Sequence, residues 1–253
     1  MTARLELFAL PGLPLVRAGD DLASLILAGI ERAGSVLRDR DVVVIAQKIV
    51  SKAEGRTVDL AQVVPSPQAV ALAAEIGKDP RIVEVVLSES VRVVRCRPNL
   101  MIMQHRLGFV MANAGVDQSN VAEADGHHRA LLLPLDPDAS AQAIRSVLAK
   151  QADVGVVISD SFGRPWRRGT TGVAIGSAGI PSVIDLRGRS DLFGRTLEVS
   201  IIGFADEIAA AASLLQGQAA EAQPVVVVRG LKWSAPNVPV ADVIRPPEED
   251  LFQ

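Results

Sequence analysis

Aromatic residues and cysteine are scarce in this sequence. Its 253 residues include no tyrosine, and aromatic side chains make up only 3% of the total. A protein that stacks single-stranded nucleic acid on aromatic rings is therefore not expected. The single cysteine, Cys96, excludes an internal disulfide and fits a reducing compartment, so we expect a cytoplasmic protein.

Long apolar runs and a strong excess of positive charge are also missing. No apolar stretch approaches the roughly 20 residues of a membrane-spanning helix. Residues 1–22 lack the apolar segment of a secretory signal. The 26 basic and 29 acidic residues give a formal net charge of −3. We therefore expect no nucleic-acid or membrane partner, and any cationic site has to be local.

Aliphatic residues dominate the composition. Hydrophobic residues make up 49% of a chain long enough to bury a sizeable core. No repeat or low-complexity linker marks a boundary. We therefore expect residues 1–253 to form a single domain, with two subdomains of unknown boundary as the alternative.

Short runs of valine and isoleucine predict buried strands. They cover residues 41–46, 83–87, 91–95, 108–112, 154–160, 196–205 and 224–230. Residues 83–95 alternate apolar and polar around a Ser-Glu-Ser turn, which predicts a hairpin with one solvated face. Uninterrupted valine runs are typical of strands covered on both faces.

Helical patterns lie between these runs. They predict helices over residues 21–33, 68–77, 139–151 and 206–216. Acidic residues precede the first of these helices, as suits an N-cap, and Gly77 ends the second. Strands mixed with helices predict an α/β fold with a mixed sheet.

The stretch "ANAGVDQSN", residues 112–120, gathers oxygen ligands after a predicted strand. Asp117 offers a carboxylate, Asn113 and Asn120 offer amides, and Ser119 offers a hydroxyl. Such hard ligands suit Mg²⁺ or Mn²⁺. The alternative is an Asx turn that caps a helix at residues 119–123.

A second cluster of polar residues, "ISDSFGRPWRRGTTG", spans residues 158–172. Asp160 stands where the buried run stops, and a carboxylate at the end of such a strand is a common ligand position in α/β proteins. Asp160 and Ser161 face opposite sides of an extended strand. They can therefore serve one ion only if the chain turns there, and otherwise they serve separate partners.

Three arginines follow that strand: Arg164, Arg167 and Arg168. Guanidinium groups bind phosphate or carboxylate bidentately, so these residues are candidates for binding substrate anions. The alternative is a solvated turn whose arginines pair with nearby acids. Trp166, between them, is predicted to anchor the loop by packing.

A third candidate, "QKIVSKAEGR", covers residues 47–56. Lys48 and Lys52 share one face if this segment is helical, and together they can attract a polyphosphate. The alternative is a charged loop. No P-loop, GxGxxG, GxSxG or HExxH motif occurs, and His127 and His128 lie in a polar loop where we expect solvent exposure.

Taken together, the chain resembles the coenzyme F(420)-0: L-glutamate ligase family. The resemblance runs in order through residues 10–22, 42–56, 108–120, 131–141, 157–176 and 204–219, with "SKAEGR", "NAGVDQSN" and "DSFGRPWRRG" as its specific motifs. It implies a stand-alone ligase without the C-terminal flavin domain of fused relatives. It also implies a nucleotide-binding α/β fold without a P-loop and an intertwined homodimer.

The resemblance further implies which residues form the site. Asp117 and Asp160 would be catalytic and hold the first of two divalent ions, Mg²⁺ or Mn²⁺, with K⁺ as a candidate additional ion. Ser161, where many relatives carry threonine, would serve the second ion. The residues implied to contact GTP are Leu13, Pro14, Leu15, Val16, Gln47, Lys48, Lys52, Asn120 and Gln216.

The implied reaction joins L-glutamate to coenzyme F(420)-0 by a γ-glutamyl-type amide bond through an acyl phosphate made with GTP. Metal ions and cations would offset the repulsion among these anionic reactants. Two alternatives stay open at this stage. One is a non-catalytic module that binds GTP or a deazaflavin, and the other is an amide ligase with a different carboxylated acceptor.

Overall fold

Helices and strands alternate along the described parts of the chain. The computed structural model describes residues 2–120 and 128–250. The strands within them are β1 (Glu6–Ala9), β2 (Val42–Ala46), β3 (Thr57–Asp59), β4 (Ser90–Arg97), β5 (Leu100–His105), β6 (Val110–Ala112), β7 (Arg129–Leu131), β8 (Gly155–Gly163), β9 (Thr170–Ala178), β10 (Ile184–Asp185), β11 (Ile201–Ile202) and β12 (Val225–Arg229). The α-helices are α1 (Leu22–Arg32), α2 (Gln47–Ala53), α3 (Pro67–Ile76), α4 (Pro80–Ser88), α5 (Pro137–Leu148) and α6 (Phe204–Gln216).

A five-stranded sheet carries the larger hydrophobic core. Its order is β1-β12-β2-β8-β9. Strands β2 and β8 run parallel, whereas the other neighbours run antiparallel. The α/β fold with a mixed sheet is therefore confirmed. The valines of β2 and β12 are at most 1% exposed, which confirms that these strands are covered on both faces.

Helices α5 and α6 pack closely on β9 because two of its residues lack a side chain. A Cβ at Gly172 would overlap the backbone of Ala209 in α6. A Cβ at Gly176 would overlap the backbone of Pro137 in α5. Most of the glycine-rich segment 169–179 is thus strand β9, which is buried mainly toward its C-terminal end and matches no GxGxxG motif.

A second, smaller cluster of buried residues surrounds the sheet β4-β5-β6. Helices α3 and α4 contribute Ala73 and Val83 to it, and β5 contributes Met101 and Met103. The segment between β6 and Asp117 also belongs to this cluster, because Ala114 is completely buried within it. Residues 112–120 therefore approach the main sheet from the second cluster.

The predicted strand over residues 83–87 and its hairpin are wrong. These residues lie in α4, which begins at Pro80 and is capped by Asp79. The buried residues Val83 and Val86 are spaced three apart, which fits one face of a helix. Strand β4, which contains the predicted strand 91–95, pairs instead with β5, the next strand along the chain.

The predicted strand over residues 196–205 is also largely wrong. Only Ile201 and Ile202 are in a strand, and α6 already begins at Phe204. The remaining predicted helices and strands are found with small shifts at their ends. The sequence patterns did not indicate β1, β3, β5, β7, β9 and β10. Within residues 2–120 and 128–250, no helix has both the length and the apolar character to span a membrane.

Candidate functional site

A cavity of about 450 Å³ opens where β2 ends and α2 begins. It lies beside the segment that follows α6. Residues predicted to be functional that line it are Leu13, Pro14, Leu15, Val16, Gln47, Lys48, Lys52, Asn120, Asp160, Ser161 and Gln216. The fold thus brings together side chains that are up to about two hundred positions apart in the chain.

The two lysines of α2 connect this cavity to residues 117–120. The segment is helical, as their spacing requires, so Lys48 and Lys52 lie one turn apart. Lys48 Nζ lies 2.7 Å from Asp117 Oδ2 and donates to Ser119 Oγ at 2.6 Å. Lys52 Nζ donates to the backbone oxygen of Asn120 at 2.8 Å. Burial, and then the charge of Lys48, lower the pKa of the Lys52 ammonium group.

Asp117 is fixed by a local turn as well as by Lys48. Its carboxylate accepts from the Ser119 amide at 2.7 Å and from the Ser119 hydroxyl at 2.9 Å. This is the predicted Asx turn; most of the helix proposed to follow it lies outside the described residues. Burial raises the pKa of Asp117, but hydrogen bonds from Lys48 and Ser119 outweigh it and lower the pKa overall. Asp117 is therefore an anion at neutral pH.

The turn that leads to Asp117 adopts an uncommon backbone conformation. Asn113, Ala114 and Gly115 have φ values of 50°, 52° and 70°. The Asn113 side chain accepts a hydrogen bond from Lys78 Nζ at 2.8 Å. The amide oxygen of Asn113, a candidate metal ligand in the sequence, therefore supports the turn. Strained backbone of this kind is often found beside functional residues.

Strand β8 does not end at Asp160, contrary to the prediction. It continues to Gly163, with Asp160 opposite Val173 and Ser161 opposite Gly172 of β9. Only the pairing with β2 stops there, since Ser159 is the last β8 residue opposite β2. The chain of β2 turns away into α2 at that point. Asp160 thereby faces the cavity from within a strand.

Asp160 has an unusual electrostatic environment. Burial raises its pKa to about 6, and the negative charge of Asp117 adds to the increase. A hydrogen bond from the Ser161 amide at 2.8 Å and the charge of Lys48 oppose this rise. At neutral pH the protein therefore keeps two coupled carboxylates next to one cavity at a cost in free energy.

The donor set at this edge of the cavity suits a small divalent cation. Asp160 and Ser161 line the cavity, whereas Asp117 does not line it and adjoins it through Lys48. Together they offer two carboxylates and a hydroxyl, and a cation would relieve the unfavourable burial of Asp160. Within residues 2–120 and 128–250, no group of three or more His, Cys, Asp or Glu forms a protein-only metal cluster. Mg²⁺ commonly uses one or two carboxylates, with phosphates and water as the other ligands.

Two glutamines and the chain after α6 also line the cavity. Gln47, at the start of α2, is buried and accepts from Ser51 Oγ at 2.8 Å. Gln216 accepts from Ser159 Oγ at 3.4 Å and donates to the Pro224 oxygen at the same distance. Asn120 Nδ2 donates to the Ala219 oxygen at 3.4 Å and so connects residues 117–120 with the chain after α6.

The three arginines after β8 do not line the cavity. Arg167 and Arg168 are exposed, whereas Arg164 is partly buried. Trp166 is 90% exposed and has a φ of 63°, so the prediction that it anchors the loop by packing is wrong for the single chain. The loop instead presents its indole to solvent.

Several contacts at the site were missed from the sequence. Ser119 contacts both Lys48 and Asp117, and Ser159 supports Gln216. Gly172 and Ser213 also line the cavity. The motif "NAGVDQSN" contains Ser119, but nothing in the sequence shows that a lysine 71 positions away would reach it. His128 gives its backbone oxygen to Leu60, and His127 lies outside the described residues.

The fold and the site together define an α/β protein whose main sheet carries a charged cavity with paired carboxylates and lysines. The model of the family "F420-0:Gamma-glutamyl ligase" matches residues 12–230, and the chain belongs to this family. The resemblance seen in the sequence motifs is thereby confirmed.

Relatives of similar length support this membership. A protein named coenzyme F420:L-glutamate ligase from Methanothermobacter thermautotrophicus is 44% identical, over 98% of this chain and 99% of the relative. Proteins of the same name from Methanopyrus kandleri and Archaeoglobus fulgidus are 45% and 42% identical. The former alignment covers 94% of this chain and 93% of the relative, and the latter covers 99% and 97%.

Proposed function

We propose that this protein ligates L-glutamate to coenzyme F(420)-0, using GTP and two divalent metal ions. The observation that carries the proposal is the cavity at the start of α2, which Lys48, Lys52 and Asp160 line and which Asp117 adjoins through its ion pair with Lys48. The description of the family names F420-0, and the names of the relatives, which match over nearly their whole length, add L-glutamate. The chemistry of amide formation supplies the need for an activated carboxylate.

The lysines and the cavity walls suit a nucleoside triphosphate. Lys48 and Lys52 bring two ammonium groups to one side of the cavity. The chain at residues 13–16 and the segment 217–224 leave room between them for a base and ribose. Cations next to a triphosphate stabilise the charge that builds up on the oxygens during phosphoryl transfer. Asn120, Gln47 and Gln216 would orient the nucleotide by hydrogen bonds.

Asp117 and Asp160 would hold one divalent ion and Ser161 the other. When bound, such ions neutralise phosphate charge and polarise the transferred group. The side chains of this protein position the reactants. The acceptor carboxylate attacks the γ-phosphorus, the bond to the β-phosphate oxygen breaks, and GDP leaves. The glutamate amine then attacks the acyl carbon and inorganic phosphate leaves, while the amine proton passes to a phosphate oxygen or a carboxylate.

A homodimer forms part of this proposal. The chain between β10 and β11 exposes large apolar side chains: Leu192 is 97% exposed, Phe193 94% and Val199 85%. Apolar side chains gathered in this way mark association surfaces. Light scattering of the purified protein should give the mass of two chains. Phe193→Asp should shift the mass toward one chain, and a wild-type monomer at micromolar concentration would contradict the dimer.

Ligase activity is tested by mass spectrometry of a reaction with F(420)-0, GTP, L-glutamate and Mg²⁺ or Mn²⁺. Asp117→Asn and Asp160→Asn should lose turnover by several orders of magnitude, since each removes a carboxylate from the reacting centre. Asp153→Asn is a matched control, because the Asp153 side chain is 77% exposed and precedes β8 at the opposite end of the sheet. Normal turnover in the Asp117 or Asp160 variant would contradict the assigned roles.

A further inference from the structure

Arg164 is partly buried, and one nitrogen of its guanidinium group lacks a partner among the residues that the structure describes. Its Nη1 atom is buried and has no hydrogen-bond partner among residues 2–120 and 128–250. A guanidinium group loses several kcal/mol when it is removed from water without compensation, so proteins rarely leave one in this state. Such a group is suited to an oxyanion that arrives with a ligand.

Other cations beside the site are already occupied. Arg56 donates to the Leu133 oxygen and pairs with Glu89 at 2.9 Å. Lys78 donates to Asn113, and the two lysines of α2 contact residues 117–120. Arg164 therefore differs from its cationic neighbours in having a free, desolvated donor.

Arg164 lies four residues after Asp160, directly beyond the end of β8. Side chains two apart in a strand share a face, so Asp160 and Phe162 lie on one face of β8. Asp160 feels the charge of Asp117, and Phe162 meets Phe109 of the main core edge-to-face at 5.8 Å. An extended chain separates the Cα atoms of Asp160 and Arg164 by about 13 Å.

A carboxylate at Asp160 followed by a guanidinium at Arg164 suits a short molecule with an amine at one end and a carboxylate at the other. In the proposed reaction the aspartates mark the end where the amide bond forms, and Arg164 supplies a cation four residues further along the chain. Phe162, between them in sequence, packs against Phe109 in the main core. Glutamate has two methylene groups between its amino-bearing carbon and its side-chain carboxylate.

We propose that Arg164 binds the side-chain carboxylate of the incoming glutamate and thereby selects glutamate over uncharged amino acids. The inference rests on the proposed ligase function and assigns a specificity residue within it. The exposed residues Arg167 and Arg168 lack this buried donor. Arg164 does not line the cavity assigned to the triphosphate, so we expect it to act independently of GTP.

The test compares glutamate with glutamine in wild type, Arg164→Met and Arg164→Lys. Glutamine keeps the shape of glutamate but loses the negative charge. Arg164→Met should lower kcat/KM for glutamate about 10- to 100-fold, the loss expected for a charge-assisted hydrogen bond. The already low kcat/KM for glutamine and the KM values for GTP and F(420)-0 should not change. The kcat/KM of Arg164→Lys for glutamate should lie between the values of wild type and Arg164→Met.

Two controls separate this role from a structural one. Arg4→Met removes an exposed arginine near Gly230, at the opposite end of the sheet, and should leave all these constants unchanged. The midpoint of urea unfolding should not fall in Arg164→Met, because Nη1 donates no hydrogen bond that the substitution could remove.

Several outcomes would overturn the inference. An equal loss with glutamate and glutamine, or an increased KM for F(420)-0 alone, would assign Arg164 to another role. A less stable Arg164→Met protein with unchanged glutamate kinetics would make it structural. If wild type itself forms no product, the proposed function fails rather than this residue assignment. In that case calorimetry with glutamate, in wild type and Arg164→Met, still tests the binding step, and equal affinities would overturn it.

Discussion

Replacing Asp160 with asparagine should change how the stability of the protein depends on pH. Burial raises the pKa of Asp160 from 3.8 to about 6 in the folded protein. The folded state therefore holds this proton more tightly than the unfolded chain does. The stabilising contribution of the protonated Asp160 carboxyl group to the free energy of unfolding is present at low pH and is lost as the pH rises through 6. The charge of Lys48 offsets only part of this rise in pKa, and the hydrogen bond to Asp160 comes from a backbone amide.

The magnitude follows from the two pKa values. Proton linkage with a folded pKa near 6 and an unfolded pKa near 3.8 makes this group worth about 1.4 kcal/mol more at pH 5 than at pH 8. Asparagine carries no titrating proton. The difference in unfolding free energy between Asp160→Asn and wild type should therefore shift by about 1.4 kcal/mol in favour of the variant between pH 5 and pH 8.

Urea unfolding in EDTA at pH 5 and pH 8 measures this shift. Titrating groups that do not interact with Asp160 affect both proteins equally and cancel in the difference. Mg²⁺ should reduce the shift, because a bound cation stabilises the ionised carboxylate of wild type. If Asp160→Asn and wild type change in parallel between the two pH values in EDTA, Asp160 is not a desolvated carboxylate.

Two further predictions concern the walls of the cavity. Lys48→Met removes the 2.7 Å ion pair with Asp117, which leaves the carboxylate of Asp117 free for a cation. Calorimetry should therefore show tighter binding of Mg²⁺ alone, and at least tenfold weaker binding of GTP because a phosphate-binding cation is lost. Unchanged affinities for both would contradict the role of Lys48. Gly172→Ala should lower the free energy of unfolding by about 1–3 kcal/mol, because the new Cβ meets the backbone of Ala209. Gly163→Ala, where a Cβ meets nothing within 4 Å, should cost much less in the same urea titration, and equal costs would refute close packing of α6 on β9.

The buried strands of the main sheet could be predicted from composition because burial on both faces demands continuous apolar residues. The runs at β2 and β12 contain almost only valine, and both are interior strands. The same signal failed at residues 83–87, where five residues are too few to separate a period of two from a period of 3.6. There the N-cap Asp79 and Pro80 at the first helical position favour a helix.

Strand β9 could not be predicted because its glycines are required by the helices that pack on it and not by the strand itself. Glycine is unfavourable in an isolated strand. Gly172 and Gly176 are used here because α6 and α5 approach the backbone of β9. That requirement arises from tertiary packing and leaves no periodic signal in the sequence.

The site shows the same division between local and tertiary information. The spacing of Lys48 and Lys52 and the turn at Asp117 are local features, and both were predicted from residue types. The contact between Lys48 and Asp117, the raised pKa of Asp160 and the unpaired Nη1 of Arg164 depend on residues far apart in the chain. No motif encodes the desolvation that makes these groups reactive or selective.

Mass spectrometry of one reaction tests the central claim most directly. Purified protein would be incubated with F(420)-0, L-glutamate, GTP and Mg²⁺ or Mn²⁺, with parallel reactions that omit GTP or contain EDTA. We predict a product heavier than F(420)-0 by one or more glutamyl residues, together with GDP, in the complete reaction alone. Unchanged F(420)-0 with both metals, from folded protein that binds GTP, would contradict the proposed ligase function.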